Sequence, residues 1–264
     1  RVLFRSGLGY PVWIDLAKNI KMTIQSKGKR PVGRTITRLS LQSKIVLTMT
    51  LFLLTLGTLG FYLLEHHNPA TMGTLNAAGK FQAAFFQSVT TRTAGFASIS
   101  QSGLTNGSKL LACMLMIVGG SPAGTAGGIK TTTVAVLLLT AISVLRGNKD
   151  TECYGRKITF EIIRVGITIT LVTFVFWLFG VTVMTVIEPQ QKVLDLMFEA
   201  TSAMATVGLT VDLTPVLSDI SHVVLMLMMY IGRIGPMTMA LIFSGHVDKK
   251  NQFRTLPEAK IMVG

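Results

Sequence analysis

Charge is scarce in this chain of 264 residues: only 14% are Asp, Glu, Lys or Arg, against roughly a quarter in an ordinary soluble domain. With 49% hydrophobic residues, that shortage excludes a normal soluble globule. It also excludes a disordered segment, which needs low hydrophobicity to stay in solution. Acids are scarcest, 12 against 25 bases, for a formal net charge of +13. The bases sit between long charge-free runs, so the excess belongs to loops and gives no argument for a nucleic-acid partner. Cysteine is nearly missing. Cys113 lies in an apolar run and Cys153 in a basic loop, which leaves neither a disulfide framework nor a metal cluster. His66, His67, His222 and His246 are not spaced as metal ligands, so the sequence predicts no enzyme and no covalently held cofactor.

What the chain has instead is long apolar runs. Ile45–Leu64 gives 20 uncharged residues and Val165–Ile187 gives 23, each long enough to span a bilayer. These predict two outer helices in contact with lipid. Two further runs, roughly Leu110–Leu145 and Ile220–Val247, carry one charge each, Lys130 and Arg233, and are broken by glycine and proline. They read as interrupted spans. Shorter apolar stretches, about Gly79–Thr91 and Lys192–Ala205, cannot cross a bilayer and each leads into Thr-x-Gly, so they predict re-entrant half-helices. The 14 methionines, Met226, Met228 and Met229 among them, read as lipid-facing or core filling.

An internal repeat organises these pieces. Adding 113 maps Phe85 onto Phe198, Thr93 onto Thr206, Gly95 onto Gly208 and Gly119 onto Gly232. The predicted fold class is therefore an all-α membrane protein of two repeated helix–pore-helix–helix hairpins with broken second helices; a solenoid period would be several times shorter. Lys and Arg number 10 in residues 1–44, five in 146–164 and four in 249–260, against three in 65–109 and one in 188–219. The positive-inside rule puts the first three stretches, and with them the C-terminus, in the cytoplasm. On the outer side stand Glu65, Glu188, Asp195, Glu199, Asp212 and Asp219. Two readings of these acids stand: mild concentration of cations at an entrance, or solvated loop charges.

Thr206-Val207-Gly208-Leu209 follows a short helix ending near Ala205 and opens like a potassium-channel filter, in which backbone carbonyls replace an ion's hydration shell. Glycine suits such a strand because it reaches backbone angles other residues avoid and adds no bulk beside a path one ion wide. The equivalent strand in the first unit is Thr93-Ala94-Gly95-Phe96. A dehydrated potassium ion is the only metal these motifs call for, held near the negative ends of two half-helices. Gly119 to Gly128, which includes Gly120, Ser121, Gly124, Thr125 and Gly127, lies within a span. Lipid cannot satisfy the exposed backbone there, so the loop must face protein or water. It reads as a plug in the pore or as a kink for close helix packing. A phosphate-binding P-loop fails on spacing, since Ile129 separates Gly128 from Lys130 and no strand precedes it. Lys130 and Arg233 should face the interior, where they could repel cations below the filter; for Arg233 the other reading is a structural charge bonded to carbonyls freed by Gly232, Gly235 and Pro236.

Four motifs together, Thr90–Phe96, Gly119–Thr133, Ala205–Thr210 and Tyr230–Pro236, resemble the Trk/Ktr/HKT superfamily, in particular its Ktr-type membrane subunit. That resemblance implies potassium uptake through one pore surrounded by four hairpin units, often with sodium as coupling ion, in the inner (plasma) membrane of a bacterium. It implies a homodimer resting on a cytosolic RCK-type ring whose subunits, not this chain, bind a nucleotide. It also implies that the loop of the third unit is the intramembrane gate, with the fourth unit's arginine beside it.

On this reading residues 41–146 are the third unit and 161–248 the fourth, joined by a cytoplasmic linker, 147–160. Residues 7–40 hold the end of a preceding unit's helix and a cytoplasmic linker, and 249–264 form a cytoplasmic tail resembling Ktr-type termini. Arg1–Ser6 does not fit that preceding helix and is expected to be a sequence artefact. Two pore units are then absent, and the chain alone is not expected to conduct. The rival readings are a sodium-permeable relative, a non-conducting membrane scaffold, and a membrane enzyme, the last disfavoured because no His, Asp or Cys cluster falls at membrane depth.

Overall fold

A computed structural model describes residues 7–25, 39–124, 126–148 and 150–235. Thr125, Pro236, His246, Arg1–Ser6 and the 249–264 tail lie outside the described residues, as does the second part of the run predicted to end at Val247. The described residues hold eight α-helices: α1 (Tyr10–Gln25), α2 (Leu41–Glu65), α3 (Ala77–Thr90), α4 (Asn106–Ile117), α5 (Thr131–Leu145), α6 (Phe160–Ile187), α7 (Val193–Met204) and α8 (Asp219–Ile234). A single 3-10 turn, Thr214–Val216, precedes α8.

Among the described residues, helices α2 and α6 are the two long and apolar enough to cross a membrane, with mean hydropathies of 1.9 and 2.2. Their outward side chains are greasy, Leu63 on α2 being 75% exposed and Phe179 on α6 68%. Water would penalise such faces; hydrocarbon does not. Inward, small residues let helices approach closely. A Cβ on Gly57 of α2 would sit 2.4 Å from Ser88 Oγ of α3, and one on Gly180 of α6 would sit 2.4 Å from Met228 Sδ of α8.

Among the described residues the helices are interrupted by an isolated parallel bridge between Val118 and Ile129 and by one paired strand ladder, in the 147–160 linker, where β1 (Glu152–Cys153) pairs antiparallel with β2 (Arg156–Lys157). Tyr154 and Gly155 between them both have positive φ, 49° and 73°, the geometry of a tight hairpin turn. Cys153 is thus buried, and burial pushes its thiol above the ordinary range, which makes it a poor nucleophile.

Several charges read as belonging to outer loops are buried instead. Glu65, wholly buried, closes α2 and accepts hydrogen bonds from Asn68 Nδ2 (2.6 Å), Thr71 Oγ1 (2.6 Å), Thr105 N (2.9 Å) and Thr105 Oγ1 (2.7 Å). Thr105 is the N-cap of α4, so the carboxylate also lies at the positive end of that helix. Glu188 does the same after α6, accepting from Ser218 N and Ser221 Oγ, both at 2.8 Å, at the start of α8. Bonds from Ser218 and Ser221, with His222 nearby, hold the Glu188 carboxyl below its usual range. It therefore stays ionised, and its contribution is lost only as pH falls through that lowered value. Glu65→Ala would remove the acceptor shared by these four donors, of which Asn68 Nδ2 and Thr105 Oγ1 keep a second partner in Gly103 O and Ser108 Oγ. It should cost about 3 kcal/mol or more and lower the unfolding midpoint of the detergent-solubilised protein, whereas Glu188→Ala, in a more exposed position, should lower it less.

The two hairpins share a core. Leu53, Phe61, Met72 and Ala84 from α2, α3 and their connection cluster with Cys113, Leu115 and Met116 of α4. Phe198 of α7 and Val207, Leu209 and Val211 beyond it belong to the same cluster. Lys109 of α4, 7% exposed, pairs with Asp195 of α7 at 2.6 Å, and Ser102 Oγ donates to Asp212 at 2.7 Å. The two predicted filter segments are thereby held side by side.

Candidate functional site

Helices α3 and α7 end immediately before the two Thr-x-Gly segments, and each chain then takes the same turn. Thr93 and Gly95 have φ of 63° and 74°; their counterparts Thr206 and Gly208 have 53° and 89°. Ala94 and Val207 between them keep negative φ. Non-glycine residues rarely hold positive φ unless their surroundings over-determine it, and here the strain recurs at an offset of 113. The surroundings are specific. In the first unit Thr90 Oγ1 accepts from Phe96 N (2.8 Å) and donates to Phe96 O (2.6 Å), closing the loop. In the second, buried Glu199 accepts from Thr210 Oγ1, from Val211 N (3.0 Å) and from Thr214 Oγ1 (2.9 Å).

The segments meet at Gly95. A Cβ there would lie 2.3 Å from Val207 O, and one on Gly208 would have Gly95 Cα, at 4.0 Å, as its only neighbour. Of the predicted filter residues Thr93–Phe96 and Thr206–Leu209, Gly95 is thus brought against Val207 and Gly208, with the main chains close enough that glycine is required on one side.

The glycine loop after α4 lies directly against this pair. Gly127 N donates to Thr206 Oγ1 at 3.0 Å, and a Cβ on Gly127 would lie 2.9 Å from Ala205 O. At its base the loop is pinned by Ile129 N to Ile117 O (3.0 Å), Gly119 N to Ile129 O (2.9 Å) and Thr131 N to Gly120 O (3.2 Å). Ser121 Oγ and Thr131 Oγ1 are 3.1 Å apart. The segment before α1 supports the tip, with Ser121 N donating to Gly7 O at 3.0 Å. Lys130 Nζ donates to Ala126 O. Gly124, Gly128, Lys130 and Arg233 line one cavity of about 420 Å³ beside the loop. Among the described residues no group of three His, Cys, Asp or Glu is arranged to hold a metal.

Gly232, the repeat mate of Gly119, has its own demand. A Cβ there would lie 1.9 Å from Met204 O, so α8 lies against the end of α7 with no room for a methyl group. Gly232→Ala should therefore lower the amount of folded protein in the membrane several-fold, as seen by fluorescence-detected size exclusion.

The chain has counterparts among known proteins. A family model described as TrkH, cation transport protein, matches residues 2–254. The chain belongs to this family. Ktr system potassium uptake protein B of Bacillus subtilis (strain 168) is 35% identical over 258 residues, which is 98% of this chain and 54% of that protein. Ktr system potassium uptake protein B of Vibrio alginolyticus is 37% identical over 206 residues, 78% of this chain and 45% of that one. Potassium/sodium uptake protein NtpJ of Enterococcus hirae is 31% identical over 266 residues, covering 100% of this chain and 56% of that protein. The chain thus spans about half the length of the relatives it matches. Among solved structures, the potassium transporter TrkH from Vibrio parahaemolyticus shares the fold, with a TM-score of 0.62 at 16% identity over 78% of this chain and 44% of that one. The family is one of membrane transporters of bacterial origin, and α2 and α6 have the length and apolarity to cross a membrane.

Sequence reasoning missed Glu65, Glu188 and Glu199 as structural anchors. The signal was present: Thr105 and Ser218 are N-caps 113 apart, each accepting from the serine three residues on, and the cap's own backbone N–H is left free to donate to a carboxylate. Arg92, counted as an outer base, is 5% exposed beside the first Thr-x-Gly.

Proposed function

We propose that this chain supplies two of the four pore units of a bacterial potassium-uptake protein. Its two helix–pore-helix–helix hairpins then contribute half of a carbonyl-lined filter, with Thr93–Phe96 on one side and Thr206–Leu209 on the other. The observation that carries this reading is the approach of Gly95 to the Val207 carbonyl beneath two helix C-termini. Alternating backbone handedness swings successive carbonyls toward one side, so each strand can present several oxygens to one ion. A helix C-terminus adds partial negative charge. Neutral oxygens at fixed positions can replace the hydration shell of a large monovalent cation without trapping it as a carboxylate would. Uptake then runs down the electrochemical gradient, with the membrane voltage contributing about 2.3 kcal/mol per 100 mV for each charge.

The loop from Gly119 to Gly128, held to Thr206 and flanked by Lys130 and Arg233, is the gate on this reading. Its hydrogen bonds tie it across the inner side of the filter, and the two cations oppose ion entry until it moves. The names of the Ktr relatives support a subunit of a multi-component system. The reading extends this, on the resemblance of the sequence motifs, to a homodimer on a cytosolic nucleotide-binding RCK-type ring with sodium as coupling ion, and, on the distribution of Lys and Arg, to a C-terminus in the cytoplasm. A sodium-permeable variant is the second reading, favoured by the potassium/sodium name of the Enterococcus hirae relative.

Expression of the full-length gene in a host stripped of its own potassium systems tests the reading. Growth at micromolar potassium with measurable uptake is the expected outcome. Sodium uptake without potassium uptake would favour the second reading, and neither would reject both.

A further inference from the structure

A second cavity lies on the other side of the same loop, and nothing in the transport reading uses it. It has a volume of about 450 Å³ and is enclosed by Gly128 and Ile129 of the loop, Leu137 of α5, Leu171, Phe174 and Trp177 of α6, and Met204 and Ala205 at the end of α7. That volume is within the roughly 300–1,000 Å³ range of small-molecule sites. Gly128 lines this cavity and the one holding Lys130 and Arg233, so the loop separates an apolar chamber from a charged one.

The wall offers a ligand no hydrogen bond. Three threonines face the cavity region, yet Thr170 Oγ1 donates to Gly166 O (2.9 Å), Thr173 Oγ1 to Ile169 O (2.7 Å) and Thr201 Oγ1 to Met197 O (2.6 Å). Trp177 Nε1 in turn donates to Thr201 Oγ1 at 2.8 Å. Water needs two to four polar partners to stay in such a site, so water and hydrated ions are disfavoured. An empty chamber of this size forfeits the dispersion contacts of its lining. An apolar occupant is what remains.

The mouth indicates its source. Leu171 and Phe174 line the cavity while being 61% and 51% exposed, so it opens along the outer face of α6. They lie within about 4 Å, measured along the helix axis, of the midpoint of that 28-residue helix. The opening is therefore in the hydrocarbon core, about 30 Å thick, where the solvent is lipid tails.

We propose that this cavity binds one acyl chain of a membrane lipid, its end seated against Gly128 and Ile129 at the back of the glycine loop. The chain fills the space into which the loop would otherwise retreat. Its leverage on the gate rests on the transport reading above; its presence does not, and the test reads no ion flux.

The test uses the full-length transporter with Trp177 as its only tryptophan, reconstituted in phosphatidylcholine with or without dibrominated acyl chains, since bromine quenches tryptophan on contact. Trp177 emission should fall at least twofold in brominated lipid. Filling the cavity with Thr170→Phe, or from the opposite wall with Leu137→Phe, should at least halve that quenching in protein that elutes as the folded species. A reference protein carrying Trp177→Phe and Phe179→Trp reports the open lipid face and should be quenched equally with and without the filling changes. Equal quenching of Trp177 in filled and unfilled protein would overturn the proposal. So would red-shifted Trp177 emission quenched by iodide, which means water, or no quenching by brominated lipid, which means that another part of the polypeptide or a second copy covers the mouth.

Discussion

In the full-length transporter, Gly95→Ala should lower the preference for potassium over sodium about tenfold or more, equivalent to about 1.4 kcal/mol, and should do so more severely than Gly208→Ala. Both glycines have positive φ, where a side chain costs roughly 1–2 kcal/mol. Only Gly95 faces a second penalty, because its Cβ would lie 2.3 Å from Val207 O, whereas that of Gly208 has 4.0 Å of clearance. The carbonyl must move, and on the present reading it is an ion ligand. Gly208→Ser should likewise weaken selection, through strain at its own position. Competition between potassium and sodium uptake, normalised to membrane abundance, checks the order. Selectivity unchanged from the unsubstituted transporter in all three variants would remove both glycines from the filter.

Deletion of Pro122–Gly127 should raise potassium uptake per folded transporter several-fold. The deletion removes the Gly127–Thr206 hydrogen bond and the Ala126 carbonyl to which Lys130 donates, while keeping the Gly119–Ile129 and Gly120–Thr131 pairs that seal the base. A plug so removed opens the path; a packing kink so removed would unfold the subunit. Arg233→Gln takes a positive charge from the wall of the same cavity and should also raise uptake, by less. Residues acting on one barrier should be strongly non-additive, so the double change should barely exceed the deletion. Lower uptake per folded protein after the deletion would reject the gate, and additivity would separate Arg233 from it.

The parts of the fold legible in the sequence are those set by local constraints. Run length fixed by bilayer thickness identified α2 and α6 to within five residues at either end. Half-spans stopping at Thr-x-Gly located α3 and α7. Identical residues at an offset of 113 foreshadowed a shared backbone turn at Thr93 and Thr206 that composition alone does not require. What could not be read was what depends on apposition. Glu65 meets Thr105 across 40 residues and Lys109 meets Asp195 across 86, so charges that look like solvated loop residues are buried ties, the first within residues 41–146 and the second between the two halves of the chain. The β1–β2 hairpin was hidden for another reason: Tyr154 is an unusual residue at positive φ, where the familiar signal is Asn-Gly.

The central claim is that Thr93–Phe96 and Thr206–Leu209 are two walls of one ion path. Thallium(I), a potassium mimic with a strong anomalous signal, tests it most directly when soaked into crystals of the full-length transporter. The account predicts an anomalous peak beside the two segments, on the side toward which their carbonyls turn and within reach of oxygens from both Thr93–Phe96 and Thr206–Leu209, which excess potassium displaces and equal sodium leaves in place. A peak confined to the outer surface, or no peak beside these segments in crystals that take up thallium elsewhere, would contradict it.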